Sequence, residues 1–161
     1  SQSLMTWTLS AFWVSITTLA AVTSISSVNI YEMDVFLYTG LMLWLLGLLI
    51  EITADHQKRK FKADLSNRDK FISTGLWSVS RHPNYVGEIT LWVGVFVMAV
   101  PTLVGIQFIV AISPLFVYLL LTRISGVNLL EKIADEKWGH LESYAQYKSD
   151  TPVLFPFLRG R

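Results

Sequence analysis

Long uncharged stretches alternate with short polar ones along this chain, and the alternation predicts several membrane-spanning helices. Residues 4–26 and 35–50 are mainly apolar, and the acidic residues Glu32 and Asp34 lie between them. Residues 89–122 again carry no charged side chain. Because a helix needs roughly 20 mainly apolar residues to cross a bilayer, this third stretch is too long for one span without strong tilt.

Pro101, with Gly105 close by, is the natural break in the third stretch, because proline interrupts a helix. We expect one span over residues 89–100, begun at Pro83, and another over residues 102–122, joined as a tight hairpin. The predicted fold is therefore all-α, a multi-pass transmembrane helical bundle of about four spans. The whole chain, residues 1–161, is expected to form a single membrane domain.

The basic residues are confined to two segments of the sequence. All 13 Lys and Arg lie in residues 51–88, predicted to be a polar helix-loop segment, and in residues 123–161. The second segment is predicted to be an amphipathic tail, helical to about Tyr147 and broken at Thr151 and Pro152. Loops rich in Lys and Arg stay on the inner side of a membrane. Four spans place both basic segments on that one face.

Composition supports a membrane protein and excludes several kinds of chemistry. Hydrophobic residues make up 52% of the 161 residues and charged residues 16%, against about 25% charged in a typical soluble domain. The net charge is +1, which gives no overall signal for a polyanion, so no nucleic-acid partner is expected. The absence of cysteine excludes disulfides, thiolate metal sites and thiol catalysis.

One face of the helix that leaves the second span carries both acids and bases. Glu51, Asp55, Arg59 and Lys62 follow at steps of four, four and three, and Lys58 joins the edge of that face. One interpretation is a ladder of intrahelical ion pairs with basic side chains that reach back to the membrane surface. The other is a binding strip, in which carboxylates hold sugar hydroxyls and cations hold phosphates.

A polar motif precedes the third predicted span and is suited to bind an anion. Pro83 is expected as the first residue of a helix, where its missing N–H costs nothing. The free amides around Asn84 and Tyr85 can then face an anion, and Arg81 and His82 stand just outside that positive end. The alternative for His82 is a helix cap or a satisfied hydrogen-bonding side chain.

Asn84 and Glu88 lie one turn apart on the same face of that helix. An amide that donates and accepts, beside a carboxylate that accepts, suits a carboxamide or a purine edge. The alternative for Glu88 is an ion pair with Arg81 or with another basic residue. The remaining histidines are isolated in the sequence, so no metal site is expected.

Four segments together resemble a membrane family that is similar to the C-terminal domain of steroid 5-alpha reductases. The same segments are similar to sterol C14 and C7 reductases and, more distantly, to isoprenylcysteine carboxyl methyltransferases. The likeness covers essentially the whole chain. The segments that carry it are residues 55–62, 75–77, 80–88 and 125–132.

The resemblance implies an NADPH site in this chain. In the reductases the segment matching residues 55–62 supplies phosphate-binding cations, here Lys58 and Lys62. The steroid reductase pattern also includes the positions of Glu51, Asp55 and Arg59, although that family has Asn where Glu51 stands. The motif said to hold the nicotinamide end matches Asn84, Tyr85, Gly87 and Glu88. A tyrosine before the final Pro156-Phe157 matches Tyr147.

Members of that family are longer at the N-terminus, and the additional half supplies the substrate cavity in the steroid reductases. Tyr31, Glu32 and Asp34 lie on the wrong face to replace it, so we expect a cofactor half without a substrate half and assign no catalytic residue.

Three functions follow as expectations. The first is an NADPH-dependent membrane reductase of C=C bonds in lipophilic sterol- or enone-like small molecules within the lipid bilayer. The second is an accessory or structural subunit of a larger membrane complex that derives from such a reductase. The third is a methyltransferase that uses S-adenosylmethionine.

Overall fold

The structure is a computed structural model and describes residues 14–16, 18–27, 34–124 and 126–155. Within these ranges the chain forms helices joined by turns and contains no β-strand, which confirms the all-α prediction. The α-helices are α1 (residues 18–25), α2 (Val35–Ala63), α3 (Pro83–Ala99), α4 (Ile112–Leu119), α5 (Val127–Trp138) and α6 (Glu142–Asp150).

Three segments of the described chain are long and apolar enough to cross a membrane, and the protein is an integral membrane protein. They are Val35–Ala63, Pro83–Thr102 and Gly105–Trp138. About half of the first predicted span, residues 4–26, lies outside the described residues, and α1 lies in the other half.

Local chemistry explains where α2 and α3 begin. The carboxylate of Asp34 accepts a hydrogen bond of 2.9 Å from the amide of Leu37, which satisfies a free donor in the first turn of α2. Helix α3 begins at Pro83, as the sequence predicts. It tightens into a 3₁₀ turn at Val100–Thr102, around Pro101, before an extended residue at Leu103.

The stretch after α3 is less regular than a single predicted span. A 3₁₀ segment, Gly105–Ala111, leads into α4, and a π-helical turn, Leu120–Ile124, follows α4. Gly105 has a φ of 55°, a conformation that glycine adopts without strain.

The expectation of one continuous helix in the tail is wrong. Helices α5 and α6 are separated at Gly139–Leu141. The amide of Gly139 donates to the carbonyl of Asp135, and a Cβ added at Gly139 would clash with that carbonyl oxygen. The amide of Leu141 then donates to the carbonyl of Trp138 at 2.9 Å, which completes the turn. The break at Thr151 and Pro152, by contrast, lies where the sequence predicts it.

The described residues form two compact units. The first contains residues up to Leu45 and Ile89–Leu119, and its core is built from Ala20, Ala99, Leu103 and Val110, with Val95 and Phe96 packed against it. The second contains Leu46–Glu88 and the residues from Leu120 onward, and it holds every residue of the predicted cofactor site. The expectation of a single domain over residues 1–161 stays a prediction.

Candidate functional site

A cavity of about 580 Å³ lies in the second unit, and its wall is rich in basic and aromatic side chains. Six lining side chains are cationic and two are carboxylates, so the wall carries an excess of positive charge. The carboxylates are those of Asp64 and Glu131. The cations are Lys58, Lys62, Arg68, Lys70, Arg81 and Lys137.

Four aromatic rings pack together in the wall of the cavity. The ring of Phe71 meets Tyr144 edge-on at 5.1 Å and lies tilted against Tyr147 at 5.3 Å. Trp138 approaches Phe71 at 6.1 Å in a T-shaped arrangement. Aromatic pairs at these separations stabilise each other beyond their buried area. The cluster therefore offers a firm apolar surface beside the cations.

Trp77 ties three elements of the site together. Its indole N–H donates to the carbonyl of Ala54 at 3.1 Å, and its own carbonyl accepts from the hydroxyl of Tyr147 at 2.6 Å. The ammonium of Lys58 lies 4.9 Å from the centre of the indole ring, within range of a cation–π contact. Trp77 is buried, with 4% of its surface exposed, so it fixes the positions of Lys58 and Tyr147.

The carboxylate of Glu131 is the centre of an ionic network. It binds a guanidinium nitrogen of Arg81, and its other oxygen lies 2.9 Å from Nε2 of His82. The ammonium of Lys148 is 3.6 Å from Glu131 and 2.6 Å from Asp135. Sequence reasoning assigned no role to Glu131, although it lies in one of the family-like segments. The four-residue step to Asp135 was the available signal that both acids share a face of α5.

The loop before α3 is fastened to the chain after α6. The amide of Arg81 donates to the carbonyl of Pro152 at 2.9 Å, and the hydroxyl of Ser80 donates to the carbonyl of Val153 at 3.3 Å. The ring of His82 stacks on Tyr85, with a centroid separation of 5.5 Å. These contacts hold Arg81 and His82 in place at the start of α3.

Glu51, Asp55 and Glu88 form a second, acidic group. The carboxylate of Glu88 interacts electrostatically with those of Glu51 and Asp55, and Tyr85 interacts with Glu88 and Asp55. None of these three carboxylates makes a hydrogen bond or salt bridge with another residue of the described ranges. Nor do His, Cys, Asp and Glu side chains gather there, or elsewhere in the described chain, in a group of three able to hold a metal ion.

Gly87 lets α3 approach the acidic group closely. A Cβ added at Gly87 would lie 2.6 Å from the backbone nitrogen of Glu51 and 2.7 Å from the carbonyl oxygen of Gly47. Only glycine fits such an approach between two backbones.

The predicted site residues therefore fall into two groups within the second unit. Five of them line the cavity, namely Lys58, Lys62, Arg81, His82 and Tyr147. The others do not line it, namely Glu51, Asp55, Arg59, Asn84, Tyr85 and Glu88. Arg59 is exposed and Asn84 is half-buried.

Two alternatives drawn from the sequence are wrong. Arg81 pairs with Glu131, not with Glu88. The ladder of ion pairs along α2 does not form either, because in the described chain no salt bridge joins Glu51 or Asp55 to a basic side chain of that helix.

Burial keeps the two tyrosines of α6 protonated. It raises the pKa of Tyr144 to about 12, and the nearby carboxylates of Glu131 and Asp135 act in the same direction. Burial also raises the pKa of Tyr147, against a smaller opposing effect of Arg81. Both hydroxyls are therefore hydrogen-bond donors at neutral pH.

Sequence comparison identifies relatives whose names describe enzymes. The chain is 29% identical over 120 residues to the 3-oxo-5-alpha-steroid 4-dehydrogenase 1 of Mus musculus. This alignment covers 74% of this chain and 42% of the relative. It is 32% identical over 120 residues to the protein of that name from Rattus norvegicus, covering 74% and 41%. It is also 35% identical over 57 residues to the probable O-methyltransferase ustE of Ustilaginoidea virens, covering 35% and 20%.

The chain spans about two fifths of the length of the dehydrogenases that it matches. No solved structure matches it. The family model described as "Protein of unknown function (DUF1295)" matches residues 1–151. The likeness to steroid 5-alpha reductases that the sequence motifs indicate is therefore confirmed, and the chain belongs to the DUF1295 family.

Proposed function

We propose that this chain is a membrane-embedded NADPH-dependent reductase, or the cofactor-binding half of one, that acts on C=C bonds of a lipophilic sterol- or enone-like substrate. The observation that carries the proposal is the cavity of about 580 Å³, because five of the side chains expected to contact the cofactor line it. The names of the dehydrogenase relatives support the reaction class, an oxidation or reduction of a steroid ring.

The residues present fit such a cofactor. The volume of the cavity falls within the roughly 300–1,000 Å³ of small-molecule sites. Its lysines and arginines suit phosphate groups, and its aromatic rings suit a planar base. Nε of Arg81 is a buried donor that has no hydrogen-bond partner among the described residues, and a ligand acceptor would satisfy it.

Different lining residues would have different roles in binding the cofactor. Lys58 and Lys62 would bind phosphates, and Trp77 would hold Lys58 in position through the cation–π contact. Tyr147 would form part of the wall, with its hydroxyl held by the carbonyl of Trp77. His82 would line the cavity from the start of α3.

The acidic group would bind the remaining parts of the cofactor. Glu51 and Asp55 can accept hydrogen bonds from sugar hydroxyls, and Asn84 with Glu88 can pair with a carboxamide. Their freedom from partners within the described chain supports this role. When bound, NADPH supplies a hydride, and these side chains orient it and exclude water.

The contacts of the loop and the tail support one common face for both basic segments. The indole N–H of Trp138 donates to the carbonyl of Asp69 at 2.9 Å, and Arg81 donates to Pro152. Segments that share such contacts lie on one side of a bilayer, and the positive-inside rule favours the inner side. The lipophilic substrate would then enter from the bilayer.

Methyl transfer from S-adenosylmethionine is a second candidate function. The observation that favours it is the 35% identity over 57 residues to the probable O-methyltransferase ustE. The match covers 35% of this chain, against 74% for the dehydrogenases, so reduction remains the better-supported proposal.

The test is a binding measurement on the purified chain in detergent. NADPH, NADH and S-adenosylmethionine would each be titrated by calorimetry and by thermal shift. The variants are Lys62→Ala, in the cavity, and Asn84→Ala, at the start of α3. Lys132→Ala is the matched control, because Lys132 is exposed on α5 and does not line the cavity.

We expect micromolar binding of NADPH that is weakened by both site variants and unchanged in the control. Tighter binding of S-adenosylmethionine would replace reduction with methyl transfer. A folded chain that binds none of the three would favour the accessory or structural subunit of a larger membrane complex.

A further inference from the structure

We propose that Glu131 determines where a ligand's phosphate groups bind in the cavity. By pairing with Arg81, it removes the charge of that guanidinium from the cavity wall and directs phosphates to the lining cations that have no salt-bridge partner. Those cations are Lys58, Lys62, Arg68, Lys70 and Lys137. The inference rests on the proposed function only in that the ligand is taken to be a nucleotide.

The charges around Glu131 compensate one another. Its two oxygens contact Arg81, His82 and Lys148, and Asp135 binds Lys148 at 2.6 Å. The negative charges of Glu131 and Asp135 therefore balance the positive charges of Arg81 and Lys148. The side chains of Arg81 and Glu131 are 12% and 19% exposed, so water screens this pair little. A phosphate brought to Arg81 would meet the carboxylate of Glu131 at close range.

The remaining cations of the cavity wall are not compensated in this way. Within the described ranges, no acidic side chain forms a salt bridge with any of these five cations. Asp55 interacts electrostatically with Lys58 without a salt bridge, and Asp64 interacts with Lys70 in the same way. No salt bridge therefore competes with a ligand for these cations, and phosphate oxygens are good acceptors for ammonium and guanidinium donors.

The surface beside the Glu131 network is aromatic. The ammonium of Lys148 lies 5.8 Å from the ring centre of Tyr144, which belongs to the aromatic cluster. An uncharged ring placed beside this network gives up little interaction energy, because the network is balanced in charge. It also gains stacking contacts with the aromatic rings. The base of a nucleotide would bind on this side. Arg81 would then contribute its unpaired Nε–H to an uncharged acceptor.

The test uses inorganic pyrophosphate as the probe, so that it does not depend on any nucleotide. Pyrophosphate would be titrated by calorimetry into the full chain in detergent. Glu131→Gln keeps the shape of the side chain but removes the negative charge that compensates Arg81, and we expect pyrophosphate to bind roughly fivefold more tightly. Glu136→Gln is the matched control, since it removes one negative charge from an exposed position of α5 that neither lines the cavity nor pairs with Arg81 or Lys148, and it should change binding less than twofold.

A second pair of variants tests the cations directly. Arg68→Gln and Lys70→Gln alter exposed side chains of the loop after α2, so both should fold, and each should weaken pyrophosphate binding roughly fivefold. The proposal is overturned if wild type does not bind pyrophosphate, or if folded Glu131→Gln binds it no better than wild type. If Glu131→Gln does not fold, the loop variants decide alone, and unchanged binding in both rejects the proposal.

The two proposals can fail separately. A chain that binds pyrophosphate with the expected pattern but does not bind NADPH would retain the role of Glu131 and lose the reductase function. A chain that binds NADPH through Arg81, with no effect of Arg68→Gln or Lys70→Gln on pyrophosphate, would retain the reductase function and lose the role of Glu131.

Discussion

The hydroxyl of Tyr147 donates a 2.6 Å hydrogen bond to the backbone carbonyl of Trp77, across 70 positions of sequence. The ring of Tyr147 also lies 5.3 Å from that of Phe71. One side chain of α6 therefore fixes both the loop before α3 and the aromatic cluster, and the shape of the cavity depends on it.

Replacing Tyr147 by Phe should lower the free energy of unfolding by about 1 kcal/mol, because the ring remains and a buried carbonyl loses its donor. Unfolding by sodium dodecyl sulfate in mixed micelles would measure the change. Ser143→Ala is the control, since Ser143 is exposed on α6 and its side chain makes no hydrogen bond within the described residues. Equal stability of Tyr147→Phe and wild type would show that the bond contributes nothing.

The protein should lose stability in strong alkali because of its buried tyrosines. Burial raises the pKa of Tyr144 to about 12 and also raises that of Tyr147, whereas both titrate near pH 10 when the chain is unfolded. Above pH 10 the unfolded state therefore loses protons first, and the stabilisation is lost progressively as the pH rises to about 12. Melting temperatures from pH 8 to pH 12 would record the decline.

The double variant Tyr144→Phe/Tyr147→Phe is the comparison for that experiment. Its melting temperature should fall less steeply between pH 10 and pH 12 than that of wild type. The same slope in both proteins would assign the alkaline loss to other groups.

Glu131→Ala should destabilise the second unit by about 2 kcal/mol, since it leaves the buried guanidinium of Arg81 without its counter-ion. Thermal unfolding in detergent would measure this, and Glu131→Gln should lose less because its amide oxygen can still accept from Arg81. Lys132→Ala, at the exposed neighbouring position, should leave the melting temperature unchanged. A loss of equal size in both alanine variants would contradict the network.

Gly87→Ala should cost about 1–3 kcal/mol, because the new methyl group would meet the backbones of Glu51 and Gly47 and force α3 away from α2. If the acidic group binds a ligand, the same variant should weaken that binding. Thr53→Ala, on the exposed face of α2, is the control. Wild-type stability in Gly87→Ala would mean that the two helices can separate without loss.

The sequence predicts the long helices well because their signals are local. An apolar run is enough for α2, and Pro83 marks the first residue of α3. The break at Gly139 also had a local signal, the glycine itself, but the amphipathic pattern on both sides favoured one helix.

The candidate site depends on contacts that no local pattern reports. Glu131 meets Arg81 across 50 residues, and Phe71 meets Tyr147 through a fold that joins the loop to the tail. The spacing of Lys58 and Lys62 indicates a shared face of α2, and both do line the cavity. Asn84 and Glu88 do not line the cavity with Lys58 and Lys62. Sequence spacing could not predict this, because it depends on how α3 packs in three dimensions.

The fastening of the loop to the tail also sets an order of events in biosynthesis. Tyr147 and Pro152 leave the ribosome about 70 residues after Trp77 and Arg81, which takes roughly 4–14 s at 5–20 residues per second. During that interval the backbone carbonyl of Trp77 and the backbone amide of Arg81 lack the partners that the tail supplies. A nascent chain of this protein thus presents an open basic loop until its final helix is made, and factors that assist membrane insertion would meet it in that state.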